Sequence, residues 1–67
     1  MSETLNTNLK KAHFELFMNR NKAPCFRLRA PNGEIVLQSE AYSSKQAAKA
    51  SIEAIRKYAA TADLREL

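Results

Sequence analysis

The part of the sequence that decides the fold is a strand–turn–strand segment, Phe26-Arg27-Leu28-Arg29-Ala30-Pro31-Asn32-Gly33-Glu34-Ile35-Val36-Leu37. The Asn-Gly dipeptide at its centre supplies the two positive-φ residues that a type I′ hairpin turn requires. On both sides of the dipeptide, apolar and polar residues alternate with a period close to two, which is typical of half-buried strands. The turn and the alternation therefore predict the same antiparallel hairpin.

A turn centred on Asn32 and Gly33 also predicts the register of this hairpin. From the turn outward, the predicted pairs are Ala30 with Ile35, Arg29 with Val36, Leu28 with Leu37, Arg27 with Gln38, and Phe26 with Ser39. This register places most of the apolar side chains on one face. Arg27 and Arg29 lie on the opposite face.

A further strand is predicted upstream, over His13 to Asn19, where apolar residues again alternate. A polar connection follows and ends at Pro24. Because proline cannot donate a hydrogen bond to a neighbouring strand, we expect the second strand to begin after it, at Cys25, and to end at Ala30.

A helix is predicted downstream of the hairpin. Ser43 as N-cap and Gln46 three residues later fit a capping box, and Ser44 is the alternative cap. The helix is expected to run to about Ala59 or Ala60. Its apolar stripe consists mainly of alanine with two isoleucines and a tyrosine, so it buries little area but allows close approach to a sheet.

The chain is short, with 67 residues, and it carries few means of stabilising itself. A domain of this size has a marginal core on its own. Its single Cys excludes an internal disulfide, and its single His, outside any Cys/His/Asp cluster, argues against a zinc site. Oligomerisation is therefore the favoured route to stability.

The composition also limits where the protein acts and what it binds. It contains no apolar run long enough for a transmembrane helix and no apolar segment near the N-terminus, so we expect neither a membrane span nor a signal peptide. A lone cysteine fits the reducing cytoplasm, which is the expected location. The net charge of +4 permits binding to polyanions without establishing it.

The sequence is thus divided into a flexible lead-in, residues 1–12, and one domain, residues 13–67. The predicted class is α+β, with three antiparallel strands followed by one helix. The last six residues, 62–67, contain two apolar side chains, Leu64 and Leu67, among charged ones. Taken alone, they fit either a tail or a short final strand.

Over residues 13–59, the chain resembles the YegP-like family, an uncharacterised bacterial domain also called DUF1508 or UPF0339. The segments that carry the resemblance are Phe14-Glu15-Leu16-Phe17, Phe26-Arg27-Leu28-Arg29-Ala30, Asn32-Gly33-Glu34-Ile35-Val36-Leu37, Ser39-Glu40-Ala41-Tyr42, Ser44-Lys45, Ile52-Glu53 and Ile55-Arg56-Lys57. The sequence departs from the family where glycines are usual, at Ala41, at Ala50-Ser51 and at Lys22-Ala23-Pro24. These departures put in doubt any function that needs those glycines.

The resemblance implies a β3-α-β unit, two of which assemble around one continuous sheet with exchanged C-terminal strands. Since this chain holds a single unit, the implied state is a homodimer in which residues 62–67 cross to the partner. Leu64 and Leu67 would then lie in the exchanged strand. No established activity comes with the family.

Candidate catalytic residues are few. His13 and Glu15 share a strand face near Arg27, but a solvated face explains them better than an acid–base pair does. Cys25 would need a nearby base or cation to act as a nucleophile, and the Ser43-Ser44-Lys45 segment is better explained by helix capping. Gly33 is the only glycine, so a phosphate-binding glycine loop is excluded. We expect no enzymatic activity, no cofactor and no metal.

Two functions remain as hypotheses. The first is a homodimeric interaction or accessory module whose ligand the sequence does not identify. The alternative is a nucleic-acid-binding module that uses Arg27 and Arg29 on the sheet and Lys45 and Lys49 at the helix start. Because glutamates share the sheet with the arginines, cross-strand Arg–Glu pairing is the preferred explanation of these arginines.

Overall fold

A computed structural model describes residues 11–67 of the chain. It contains three strands, β1 (His13–Met18), β2 (Pro24–Arg29) and β3 (Ile35–Gln38), followed by one helix, α1 (Lys45–Thr61). The strands form an antiparallel sheet in the order β1-β2-β3. The predicted α+β class is confirmed, and most of the predicted lead-in lies outside the described residues.

The first hairpin pairs β1 with β2 from His13 opposite Arg29 to Met18 opposite Pro24. The prediction that β2 begins after Pro24 is wrong by one residue, because proline is tolerated as the first residue of a strand. The turn is held by the side chain of Asn19, whose Oδ1 accepts hydrogen bonds from the backbone N–H groups of Asn21 (2.8 Å) and Ala23 (2.9 Å).

The second hairpin has a different turn from the predicted type I′. The N–H of Gly33 donates to the carbonyl of Ala30 over 2.8 Å, so Pro31 and Asn32 occupy the centre of the turn. Gly33 follows with φ of 92°, whereas Asn32 does not have a positive φ. The fixed φ of proline suits the second position of an ordinary β-turn, and a left-handed glycine after such a turn gives a three-residue hairpin loop.

This longer loop explains where the predicted register holds and where it is wrong. Leu28 pairs with Leu37 and Arg27 with Gln38, as predicted, but Arg29 pairs with Ile35 instead of Val36. The predicted pairs next to the turn are therefore wrong by one residue. The register shifts between Leu28 and Arg29, which leaves one extra residue on β3. Farther from the turn than this shift, the pairs follow the predicted register.

The helix begins one residue later than the preferred prediction. Ser44 is the N-cap, and its Oγ accepts a hydrogen bond from the N–H of Ala47 over 3.0 Å. With this cap, the third helical position is Ala47, so Gln46 does not complete a capping box. The helix ends at Thr61, beyond the predicted end, and the backbone turns extended at Ala62.

The core lies between α1 and one face of the sheet, which we call the inner face. The helix packs against β2 and β1, and none of its Cα atoms lies within 8 Å of a Cα atom of β3. Phe26 is only 1% exposed and lies between Phe14, at 6.0 Å edge-to-face, and Tyr42, at 5.7 Å stacked. The Tyr42 hydroxyl is hydrogen-bonded to Ser51 Oγ of the helix over 2.7 Å, which ties the segment before the helix to the core.

The C-terminal residues 62–67 have no regular secondary structure in this single chain, and all six are exposed. Leu64 is 95% exposed. The final strand that was one of the two alternatives for this segment is therefore not formed within one copy of the described chain.

Candidate functional site

The outer face of the sheet, opposite Phe26 and the helix, carries a cluster of charged side chains. The register of the first hairpin places Glu15 opposite Arg27 and His13 opposite Arg29. Because alternate residues of a strand share a face, all four side chains project to the same side. We call His13, Glu15, Phe17, Arg27 and Arg29 the arginine cluster.

Glu15 is the centre of this cluster. Its Oε1 accepts hydrogen bonds from Arg27 Nε over 2.7 Å and from Arg29 Nε over 2.9 Å. Its Oε2 lies 2.9 Å from His13 Nε2. Hydrogen bonds from Arg27, His13 and Arg29 stabilise the carboxylate and lower the pKa of Glu15 to about 2.

His13 has a hydrogen-bond acceptor at each ring nitrogen. Its Nδ1 lies 3.0 Å from the backbone carbonyl of Lys11, and its Nε2 faces Glu15. A ring that donates from both nitrogens is protonated. The Lys11 carbonyl and the Glu15 carboxylate accordingly raise the pKa of His13 above its ordinary value.

Phe17 fixes the position of Arg27. The guanidinium carbon of Arg27 lies 4.4 Å from the centre of the Phe17 ring, within the range of a cation–π contact. Phe17, which breaks the polar alternation of β1, thus has a partner on the outer face. The preferred explanation of the sheet arginines, cross-strand pairing with glutamate, is confirmed for Arg27 and Arg29 with Glu15.

The four basic residues of the nucleic-acid hypothesis do not come together. Arg27 and Arg29 lie on the outer face, whereas Lys45 and Lys49 belong to α1, which packs on the inner face. Both lysines are exposed. A polyanion would therefore have to reach around the sheet to contact all four.

The residues considered for catalysis are occupied in other ways. Glu15 is held ionised by two arginines, and a carboxylate with a pKa near 2 is a poor base at neutral pH. Cys25 is buried, and its Sγ contacts the carbonyl of Ala23 at 3.7 Å. Ser44 caps the helix. Residues 11–67 contain no group of three His, Cys, Asp or Glu side chains that could hold a metal ion.

The second candidate surface is the apolar edge, which we define as Ile35, Val36 and Leu37 of β3. These side chains are 48%, 59% and 37% exposed. β3 is an edge strand, and within residues 11–67 no further strand pairs with its free edge. Natural proteins usually protect such edges with charge, proline or a covering segment. The sequence pattern predicts apolar residues here, but it does not show that the helix leaves them uncovered.

An open groove of about 540 Å³ lies beside the apolar edge. Phe26, Leu37, Tyr42 and Ile55 contribute its apolar walls.

No helix within residues 11–67 has the length and hydropathy to cross a membrane.

Together these features define a class of small α+β domain, in which three antiparallel strands carry one helix on a single face. The chain belongs to the family described as domain of unknown function DUF1508, whose model matches residues 19–66. This confirms the resemblance found in the sequence.

Two curated relatives, both named UPF0339 proteins, support this assignment. The chain is 39% identical over 54 residues to the protein of Treponema denticola, covering 81% of this chain and 93% of the relative. It is 41% identical over 44 residues to the protein of Photorhabdus laumondii, covering 66% of this chain. The chain spans only 39% of the length of the Photorhabdus protein.

Two solution NMR structures share the fold. A protein from Haloferax volcanii is 41% identical with a TM-score of 0.74, and the match covers 87% of this chain and 98% of that one. A protein from Agrobacterium tumefaciens is 36% identical with a TM-score of 0.71, covering 84% and 90%.

Proposed function

We propose that the protein is a homodimeric interaction or accessory module without catalytic activity of its own. The observation that carries this proposal is the apolar edge. The helix of the same chain does not pack closely on β3, and a groove walled partly by Phe26 and Leu37 stays open beside the apolar edge. Apolar surface of this kind on a small domain marks a surface that another chain covers.

A second copy supplies a suitable covering segment. Residues 62–67 follow the helix with Ala62 in extended conformation, and they carry the exposed side chains of Leu64 and Leu67. Six extended residues span roughly 20 Å, which is longer than the four residues of β3. We propose that this segment crosses to the partner and that Leu64 and Leu67 lie against the partner's apolar edge.

The size of the core and the lengths of the relatives fit an assembly of two units. Among the described residues, only Pro24, Cys25, Phe26 and Ala48 are buried. A core this small gains stability by burying more surface in a dimer. The Photorhabdus relative is more than twice as long as its matched segment, so it has room for a second unit in the same chain.

Sedimentation velocity tests the assembly. At about 100 µM, the expected species has twice the 7.6 kDa mass of the chain. Leu64→Asp should shift the population toward monomer, because it places a charge in an apolar contact. Met18→Asp is the matched control, since Met18 is a half-exposed apolar residue of β1, at the opposite edge of the sheet from β3. A compact monomer at this concentration, or equal effects of the two variants, contradicts the homodimer.

The cytoplasm is the proposed location. Cys25 is a free, buried thiol, and free thiols persist in a reducing compartment.

Nucleic-acid binding is the alternative function, and the observation in its favour is the pair of arginines on the outer face. Phosphate contacts are strongest at low salt. Fluorescence titration with random DNA and RNA at about 50 mM salt is therefore the most sensitive test. Binding that weakens with salt and is lost in Arg27→Gln would support the alternative, and an absence of binding would exclude it.

A further inference from the structure

We infer that the arginine cluster binds a single phosphate-type oxyanion through the terminal edge of the Arg27 guanidinium, with Arg29 and His13 beside it. This inference does not depend on the homodimer. The cluster lies on the outer face of β1 and of the central strand β2, and not on the free edge of β3, although Arg29 pairs with Ile35.

The first step of the argument is how Arg27 contacts Glu15. The hydrogen bond runs from Nε, at the side of the guanidinium group. Arginine binds phosphate and carboxylate oxygens in pairs through two parallel N–H groups, and the Nη1–Nη2 edge provides one such pair. The contact with Glu15 runs through Nε, and no hydrogen bond within residues 11–67 uses the terminal edge of Arg27, which can therefore take an external oxyanion.

The second step is that Arg27 is held in place before any ligand arrives. Its guanidinium lies over the Phe17 ring and is bonded to Glu15, while its side chain keeps 26% of its surface exposed. Arg29 is also held in place. Its Nε donates to Glu15, and its Nη1 donates to the carbonyl of Gly33 over 2.6 Å. Side chains that are already ordered lose less conformational entropy on binding.

The third step is the charge of the cluster. Two permanently charged arginines face one carboxylate, so the cluster carries one excess positive charge even with His13 neutral. Protonated His13 would add another. The neighbouring strand β3 has the sequence Ile-Val-Leu-Gln and adds no carboxylate. Glu34, in the adjacent turn, is exposed to solvent.

The layout favours one oxyanion over a long polyanion. Lys45 and Lys49 lie on the helix, on the other side of the sheet from the cluster. A polynucleotide needs several phosphate contacts in succession to bind well, and the outer face of the sheet offers one compact group of basic side chains.

An NMR titration with inorganic phosphate near pH 7 tests this site, with sodium chloride at equal ionic strength as the baseline. The Nε–Hε signals of Arg27 and Arg29 should shift and saturate with phosphate. Arg27→Gln should weaken binding by about tenfold or more, as expected for the loss of a charge-assisted hydrogen bond. Lys57→Gln, which removes one positive charge from an exposed helix position, is the matched control and should leave the affinity unchanged.

Two further arms keep the test decisive. Arg27→Lys preserves the charge but removes the paired donors, so it should also weaken phosphate binding. A titration with acetate distinguishes a phosphate site from a site for carboxylates in general. Acetate should shift the arginine signals much less than phosphate does. Four results would each overturn the inference. The first two are phosphate-induced shifts no larger than those with chloride, and a Lys57→Gln variant that weakens binding as much as Arg27→Gln does. The other two are an unchanged phosphate affinity in Arg27→Lys, and acetate binding as tight as phosphate binding.

Discussion

The two edge strands of this sheet differ in almost every respect. The middle four residues of β1 are half-buried, the helix contacts the strand, and its outer face carries the Glu15-centred cluster. All four residues of β3 are exposed, and no Cα atom of the helix lies within 8 Å of a Cα atom of this strand. The difference shows that one side of the sheet is stabilised within the chain, whereas the other leaves apolar side chains exposed, and there we propose that a second chain binds.

Phe26→Ala should have the largest effect, because Phe26 holds both sides of the sheet to the helix. Its ring contacts Phe14 of β1 and Tyr42 of the segment that follows β3. Removing a buried phenylalanine side chain costs about 3–5 kcal/mol, which is comparable to the whole stability of a small domain. Far-UV circular dichroism during urea unfolding should show a largely unfolded variant, and a midpoint near that of the wild type would contradict this account of the core.

Val36→Lys should have the next largest effect, on assembly more than on the fold of one chain. Val36 is 59% exposed in the single chain, so its replacement should cost a monomer about 0.5 kcal/mol or less. A lysine on an edge strand opposes pairing with another chain. The dissociation constant of the proposed dimer should rise by about tenfold or more in analytical ultracentrifugation, and an unchanged constant would show that the apolar edge is not the interface.

Acid should weaken the β1 side of the sheet through Glu15. The pKa of Glu15 is about 2 in the folded protein and near the ordinary 4.5 in the unfolded chain. Its stabilising contribution is therefore fully present above pH 4.5 and disappears as the pH falls through about 2. Urea midpoints measured from pH 5 down to pH 2 should fall more steeply in the wild type than in Glu15→Gln. His13 stays protonated over that range, so the difference between the two curves reports on Glu15. Parallel curves would contradict the stabilising role of Glu15 in the arginine cluster.

The sequence predicts the elements better than it predicts their surroundings. Period-two alternation and the helical stripe locate three strands and a helix, and the acidic residues among the sheet arginines indicate the Arg–Glu pairs. The predicted type of the second turn is wrong because Pro31 competes with Asn32 and Gly33 for the centre of the turn. The fixed φ of Pro31 outweighs the preference of Asn-Gly for a type I′ turn. The exposure of β3 could not be predicted, since it depends on where the helix crosses the sheet.

The smallest expected effects come from the turns that lead into the two sides of the sheet. Each turn contains one left-handed residue, Lys22 with φ of 63° in the first and Gly33 with φ of 92° in the second. A residue with a Cβ in this conformation lowers the free energy of unfolding by about 1 kcal/mol, whereas glycine has no such cost. Lys22→Gly should therefore stabilise the protein by about 0.5–1 kcal/mol, despite the greater flexibility of glycine in the unfolded chain.

Gly33→Ala is the reverse experiment and should destabilise by about 1 kcal/mol. A Cβ at Gly33 would meet no atom within 4 Å, so this cost is conformational and not steric. Opposite signs for the two variants in urea unfolding would show that Lys22 is strained in the first turn, where Asn19 accepts two backbone hydrogen bonds. A neutral or destabilising Lys22→Gly would contradict the conformational cost assigned to the left-handed backbone of Lys22.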